Sequence, residues 1–468
     1  MNALTALLPI PTIIRARTII IASAVLLSVL YASGATASGD AGAAASHGPI
    51  QTLLWMAFIL LCALLGRLVE KIGQPSVLGE LLMGVAIGNL GLLGIHTFEP
   101  IRSDVFIEFL AQIGVIILLF QVGLESNLAS MRKVGVRAFA VATVGVVVPF
   151  FLGTWVVGPW LLPLESLNAH LFLGAALTAT SVGITARVFK DLGKLHLPEA
   201  QIVLGAAVID DVLGLIILAV VSALVTLGSV GAGTIAAIVL KALAFLVGSI
   251  LIGTYTAPYI GRLFSRIHTG AGAKLTLAIV FALFYSALAG LIGLAPIIGA
   301  FSAGLILDPV HFRSFKKPKP AEELEEYATH LNGNDRQHME EAAAHYTEKH
   351  IEDLLQPIGY FIVPIFFVFT GIGVRLETLF SPTILGIALA VTLVAFIGKY
   401  ASSLVAGKGL NKKVIGFGMA PRGEVGLIFA SMGMSLGVLS ESLFSIIVIM
   451  VILTTLITPP ILAHYLKK

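Results

Sequence analysis

Charge is what this sequence has least of. Only 12% of its 468 residues are Asp, Glu, Lys or Arg, against about 25% in soluble chains, which excludes an ordinary soluble domain. A single cysteine, Cys62, leaves no disulfide framework and no multi-cysteine metal or redox centre. The 29 basic against 26 acidic residues give a formal charge of +3, so no basic surplus marks a nucleic-acid partner. There is no Gly-x-x-x-x-Gly-Lys-Ser/Thr loop for ATP and no His/Glu metalloprotease signature. A Thr-Val-Gly-Tyr-Gly potassium filter is also missing. No nucleophile–base pair or metal triad stands out, so the chain does not read as an enzyme, and no cofactor is implied. What is present is apolar: 57% hydrophobic residues, 48 glycines and a mean hydropathy of +0.99. This composition reads as an all-α, polytopic membrane protein whose first partner is the lipid bilayer.

Arg15 and Arg17 precede an apolar run from Thr18 to Tyr31 and the small-residue stretch Ala35-Thr36-Ala37-Ser38. Residues 1–37 read as a signal peptide cut after Ala37; an uncleaved first span is the alternative. Beyond Ile50, runs able to cross about 30 Å of hydrocarbon fall near 50–67, 77–94, 105–125, 135–158, 167–188, 200–227 and 232–260. They continue near 272–291, 294–308, 357–375, 382–406, 413–436 and 442–465, thirteen in all. Alternate loops hold Arg67 and Lys71; Arg132, Lys133 and Arg137; Arg187, Lys190 and Lys194; Arg262, Arg266 and Lys274; Lys408, Lys412 and Lys413; and Lys467 and Lys468. The opposite loops offer little beyond Arg102 and Arg375. Cytoplasmic loops collect Lys and Arg, so the C-terminus is expected in the cytoplasm, and the leader with short basic loops suits a bacterial inner membrane.

The polar insert 309–355 falls on the same basic side. It is expected to form two helices, Glu322–Ala328 and Arg336–Leu354, around Leu331-Asn332-Gly333-Asn334. It carries His311, His330, His338, His345 and His350, which read as a solvated surface, with a pH sensor or metal site as the sharper alternative. Thirteen spans divide as six (50–227), one linker (232–260) and six (272–465), and an odd linker inverts the second repeat. Transporters are commonly built so. The fifth span of each half is interrupted, at Thr178-Ala179-Thr180-Ser181-Val182-Gly183 and at Gly418-Met419-Ala420-Pro421-Arg422-Gly423. Paired broken helices point to a binding site at the bilayer midplane.

Ionisable side chains inside apolar spans cost about 2.5–3.5 kcal/mol each on insertion scales, which makes them functional candidates. Asp210 and Asp211 lie deep in the sixth span. Two adjacent carboxylates there cannot both stay ionised without a cation, because desolvation and mutual repulsion both penalise the charged form. Lys399, read as mid-span in the eleventh, is a mate for one of them, provisionally Asp210, which leaves Asp211 for an ion. Arg422 and Glu424 flank the second interruption as either an internal ion pair supporting the broken backbone or a substrate contact. Thr178, Thr180 and Ser181 offer the hard oxygens that hard cations prefer, although such hydroxyls often bond back to their own helix. Glu80 and Glu125 sit nearer helix ends, and Asp308 marks a helix exit.

In this order, Gln74–Glu80, Leu118–Glu125, the Thr178–Val188 stretch, Asp210-Asp211, Ala295–Phe301, Phe369–Gly373, Lys399 and Pro421–Glu424 make a highly specific set. The chain resembles the monovalent cation:proton antiporter 2 family, which includes NapA-type sodium/proton antiporters and the membrane domain of KefC-type potassium efflux systems. The resemblance implies an NhaA/NapA-like fold with two crossed broken helices, a homodimer with a dimerising panel and a mobile core, Asp211 as ion ligand and Asp210 as partner of Lys399. The KefC-type pattern has Gln-Asp at the Asp-Asp position, which favours sodium here. A lysine at 399 resembles the electrogenic subgroup. The expectation is a sodium (or lithium)/proton antiporter whose cation and proton compete for Asp211. Potassium/proton exchange is the alternative within transport, and a channel or membrane sensor the alternative outside it.

Overall fold

The computed structural model describes residues 49–125, 135–227, 232–307, 315–379 and 381–466. The leader 1–37, Asp308 and His311 lie outside them. Among the described residues the regular structure is helical throughout. In chain order the principal helices are α1 (Pro49–Gly66), α2 (Ser76–Gly88), α3 (Val105–Glu125), α4 (Gly135–Phe151), α5 (Leu167–Thr178), α6 (Val182–Asp191), α7 (Pro198–Leu227) and α8 (Ala232–Ser265). They continue as α9 (Ala271–Leu291), α10 (Pro296–Ile306), α11 (Lys319–Ala328), α12 (Gly333–Ile372), α13 (Pro382–Ser402), α14 (Lys412–Gly418), α15 (Glu424–Ser435) and α16 (Glu441–Leu466).

Ten helical stretches among the described residues are long and apolar enough to cross a membrane. The expected spans near 77–94, 294–308 and 413–436 correspond instead to shorter apolar helices, α2, α10 and α15. The helices pack as two sets. Helices α1, α2, α3, α9, α10 and α12 form one; α4, α5, α7, α13, α14, α15 and α16 form the other, and α8 bridges them through α10 and α7. Lipid is as apolar as leucine, so helices in a bilayer associate through close packing, which small residues permit. A Cβ on Gly84 of α2 would come within 2.9 Å of Gly371 Cα on α12, and one on Gly123 of α3 within 3.0 Å of Gly304 Cα on α10. In α4 the internal Pro149 precedes a π-helical stretch, Leu152–Val157, a usual accommodation of an interrupted hydrogen-bond ladder.

Several expectations change. The linker helix continues to Ser265, which places Arg262 on the helix with its guanidinium 4.9 Å from the Tyr259 ring centroid. The insert forms its first helix and turns at Gly333, where φ is +64°. Its second helix does not stop at Leu354, however, and runs unbroken through Pro357 and Pro364 as the 40-residue α12. The change from polar to apolar composition at 355 is a change of solvent and leaves the backbone helical. Lys274, expected in a loop, is 3% exposed in the first turn of α9, with Nζ 3.1 Å from His350 Nδ1. Lys399 is not at mid-span but in the last turn of α13; packing against α4 and α16, rather than depth along its own helix, buries it completely.

Candidate ion-binding site

Both sequence interruptions are real breaks in helical structure, and they meet. The helix stops at Thr178 and restarts at Val182; it stops again at Gly418 and restarts at Glu424. A broken helix frees backbone groups that need partners away from water, and each break supplies the other's. The Ser181 N–H donates to the Pro421 carbonyl at 2.9 Å, Thr180 Oγ1 to the Met419 carbonyl at 3.3 Å and Thr185 Oγ1 to the Gly418 carbonyl at 2.6 Å. A Cβ on Gly423 would lie 2.6 Å from both Ser181 Cβ and Oγ, so the approach of the two segments requires glycine there.

Arg422, fully buried, does not pair with Glu424. Its guanidinium donates to the carbonyls of Met419 at 3.3 Å, Ala420 at 2.9 Å and Ala395 at 3.0 Å, tying the second break to α13. Thr454 and Thr455 of α16 complete the clamp: the Arg422 N–H donates to Thr454 Oγ1, and Thr455 Oγ1 donates to the Arg422 carbonyl at 2.5 Å. Thr185, Thr454 and Thr455 were not legible as site residues, because a hydroxyl in an apolar helix acquires a role only from what packs opposite. Thr178 takes the local option and donates to the Ala175 carbonyl of its own helix at 2.7 Å.

Consecutive residues on a helix point about 100° apart, so Asp210 and Asp211 cannot face the same neighbour. Lys399 Nζ donates to Asp210 Oδ1 at 2.6 Å, with the two side chains 0% and 1% exposed. Asp211, 4% exposed, lines a cavity of about 380 Å³ and receives no hydrogen bond among the described residues. Ser181, Glu424, Gln121, Glu125 and Thr455 line the same cavity. Ser181 Oγ donates to Glu424 Oε2 at 3.2 Å. The structure thus brings Asp211, Ser181 and Glu424 to one chamber, whereas Thr180 and Arg422 hold the crossing together. Glu80 is buried away from that chamber with Arg67 Nε 3.5 Å from its carboxylate. No group of three or more His, Cys, Asp or Glu side chains is placed to hold a metal among the described residues.

A buried carboxylate in a chamber of oxygen atoms, beside a second carboxylate already neutralised by an ammonium, suits a small hard cation or a proton. Comparison with known proteins agrees. The chain is 37% identical over 432 residues to the high-affinity Na+/H+ antiporter NhaS3 of Synechocystis sp., spanning 84% of this chain and 85% of that protein. It is 33% identical over 416 residues to the Na+/H+-K+ antiporter GerN of Bacillus cereus, spanning 87% and 95%. The solved structure of the sodium proton antiporter MjNhaP1 from Methanocaldococcus jannaschii superposes with a TM-score of 0.59 at 16% identity, covering 89% of this chain and 97% of that one, which establishes a shared fold. Residues 56–468 match the model of the transmembrane sodium/hydrogen exchangers, and the chain belongs to that family.

Proposed function

We propose that this protein is a secondary active sodium/proton antiporter, also accepting lithium, in which Asp211 carries either the cation or a proton. One observation carries the reading: of two adjacent buried aspartates, Asp210 is held by Lys399, and Asp211 faces a cavity with no hydrogen-bonding partner among the described residues. Ser181 and Glu424, which line the same cavity as Asp211, are the candidates to complete the cation's oxygen shell, and Thr180 holds the crossing through the Met419 carbonyl. Cation arrival draws Asp210 toward the ion and frees Lys399 to lose its proton; cation departure restores the pair. Exchange of more protons than sodium ions moves net charge, coupling transport to voltage at about 2.3 kcal/mol per charge per 100 mV. The same reading includes thirteen spans in a six-one-six inverted arrangement, a homodimer, and a bacterial inner membrane with the basic loops and C-terminus in the cytoplasm. The name of GerN, a Na+/H+-K+ antiporter, favours potassium as the second cation to test.

The test is Asp211→Asn in proteoliposomes carrying an internal pH dye. Sodium- and lithium-dependent proton movement is expected to disappear, and a potassium arm measures the alternative. Undiminished exchange by the variant overturns the assignment.

A further inference from the structure

The chain between α13 and α14 joins two parts of the ion site. Lys399 lies in the last turn of α13, Ser403–Val405 continue as a short helical turn, and α14 begins at Lys412 and runs into the second break at Gly418. In between, Gly407 and Gly409 take φ of +105° and +81°, a left-handed backbone that glycine adopts without steric cost, and they flank an exposed Lys408. The start of α4 packs against this turn, with Arg137 Nε 3.5 Å from where a Cβ on Gly407 would lie. Arg137, Lys408 and Lys412 are exposed, and none has an ion-pair partner among the described residues. The acid that reaches this loop, Glu199, accepts the Asn411 backbone N–H at 2.9 Å instead. The exposed side chains next to these cations are apolar: Val136 and Phe139 on α4, Leu404 and Val405 on the turn.

We propose that this patch binds an anionic phospholipid, with Arg137, Lys408 and Lys412 on its phosphate and the apolar side chains of α4 and the turn against its acyl chains. The inference rests on the membrane placement proposed above and adds to the antiporter a lipid partner. Unpaired cations beside exposed apolar side chains fit an amphiphile, because one molecule then satisfies both. A soluble phosphate meets only the charge, and a soluble protein leaves the apolar side chains uncovered. Long basic side chains at a helix end extend from hydrocarbon to the headgroups while their stems stay in apolar surroundings. The Arg137 guanidinium adds a planar fork of donors that matches phosphate oxygens. Each basic residue close to an anionic membrane surface strengthens attachment about fivefold. A lipid held here restrains the loop between Lys399 and the second break, so it steadies the buried ion pair and the crossing together.

The experiment titrates phosphatidylglycerol or phosphatidylcholine into full-length protein in neutral detergent and follows the thermal unfolding midpoint, with glycerol 1-phosphate as the soluble arm. Phosphatidylglycerol is expected to raise the midpoint above that in phosphatidylcholine, and glycerol 1-phosphate to leave it unmoved. The combined variant Arg137→Gln, Lys408→Gln, Lys412→Gln is expected to lose that difference, whereas Arg137→Lys, Lys408→Arg, Lys412→Arg keeps it. Arg262→Gln with Arg266→Gln, which removes exposed charge from a different loop, keeps it as well. If the combined glutamine variant does not purify as a folded protein, Lys408→Gln alone carries the test and is expected to need about fivefold more phosphatidylglycerol for the half-maximal shift. In liposomes, sodium-dependent proton movement is expected to rise when phosphatidylglycerol replaces part of the phosphatidylcholine, and the combined glutamine variant to show no such rise. A midpoint that responds equally to both lipids, an undiminished shift in the glutamine variants, an equal loss in the Arg262 and Arg266 control, or an equal shift with glycerol 1-phosphate overturns the site. Absence of sodium-dependent proton movement by the unaltered protein in either lipid would instead overturn the antiporter reading, and the unfolding midpoints still decide the lipid site.

Discussion

Removing the charge of Lys399 tests the energetic premise of the site. Its ammonium lies 2.6 Å from Asp210 Oδ1, and neither side chain exceeds 1% exposure, so water cannot replace the lost partner. The other Asp210 oxygen, Oδ2, accepts no hydrogen bond among the described residues, so Lys399 supplies the one charged donor to the carboxylate. Breaking a buried pair from one side typically costs about 3–5 kcal/mol, because the remaining charge stays desolvated. Lys399→Met is the clean perturbation, since methionine fills much of the same channel and separates loss of charge from loss of packing. Removing both charges with Asp210→Asn and Lys399→Met is expected to recover most of that loss, since replacing a whole buried pair is often neutral. Unfolding of detergent-purified protein in an SDS titration, followed by tryptophan emission, reads the difference. Trp55, Trp155 and Trp160 supply the signal. A Lys399→Met protein as stable as the unaltered one, or a double variant no better than the single, would refute the argument that these residues form one coupled unit.

Three further outcomes follow from the geometry. Gly423→Ala places a methyl 2.6 Å from Ser181 Cβ and Oγ; overpacking of this kind costs about 1–3 kcal/mol. Sodium-dependent proton movement is expected to fall sharply in a protein that still elutes as folded. Arg422→Gln withdraws the fork from the Ala420 and Ala395 carbonyls, at about 1–3 kcal/mol for each buried group left short of a partner, and the SDS midpoint should drop accordingly. The Lys274–His350 contact at 3.1 Å requires a neutral imidazole, since a protonated ring beside the ammonium repels it. Acidification should therefore loosen the insert, whereas raising the pH should leave it docked. Energy transfer between probes on Tyr327→Cys and Ile267→Cys in a Cys62→Ala background should fall in acid, and Lys274→Met should abolish that response.

Much of the site was readable before folding because the relevant quantities are local. An apolar run long enough to cross hydrocarbon is visible in any window of the chain, and the cost of a carboxylate inside one needs no knowledge of its neighbours. The interruptions at 179–181 and 419–423 announced themselves in the same way, through hydroxyls, glycine and proline where a helix would otherwise continue. Even the Lys399–Asp210 pair could be anticipated, because a buried ammonium demands an anion and few were available at depth.

Azimuth was different. Hydropathy records that residue 210 and residue 211 are both inside, but which one meets lysine and which meets a cavity depends on the rotation of α7 against α13 and α15, set by packing among many helices. For the same reason Arg422, left open between an internal ion pair and a substrate contact, found three carbonyls, and Lys274 was placed in a loop and found buried against His350. The composition alone determined a helical membrane protein with acids in its interior; only the assembled bundle decided which acid faces the cavity and which residues clamp the crossing, because those outcomes belong to contacts between segments far apart in the chain.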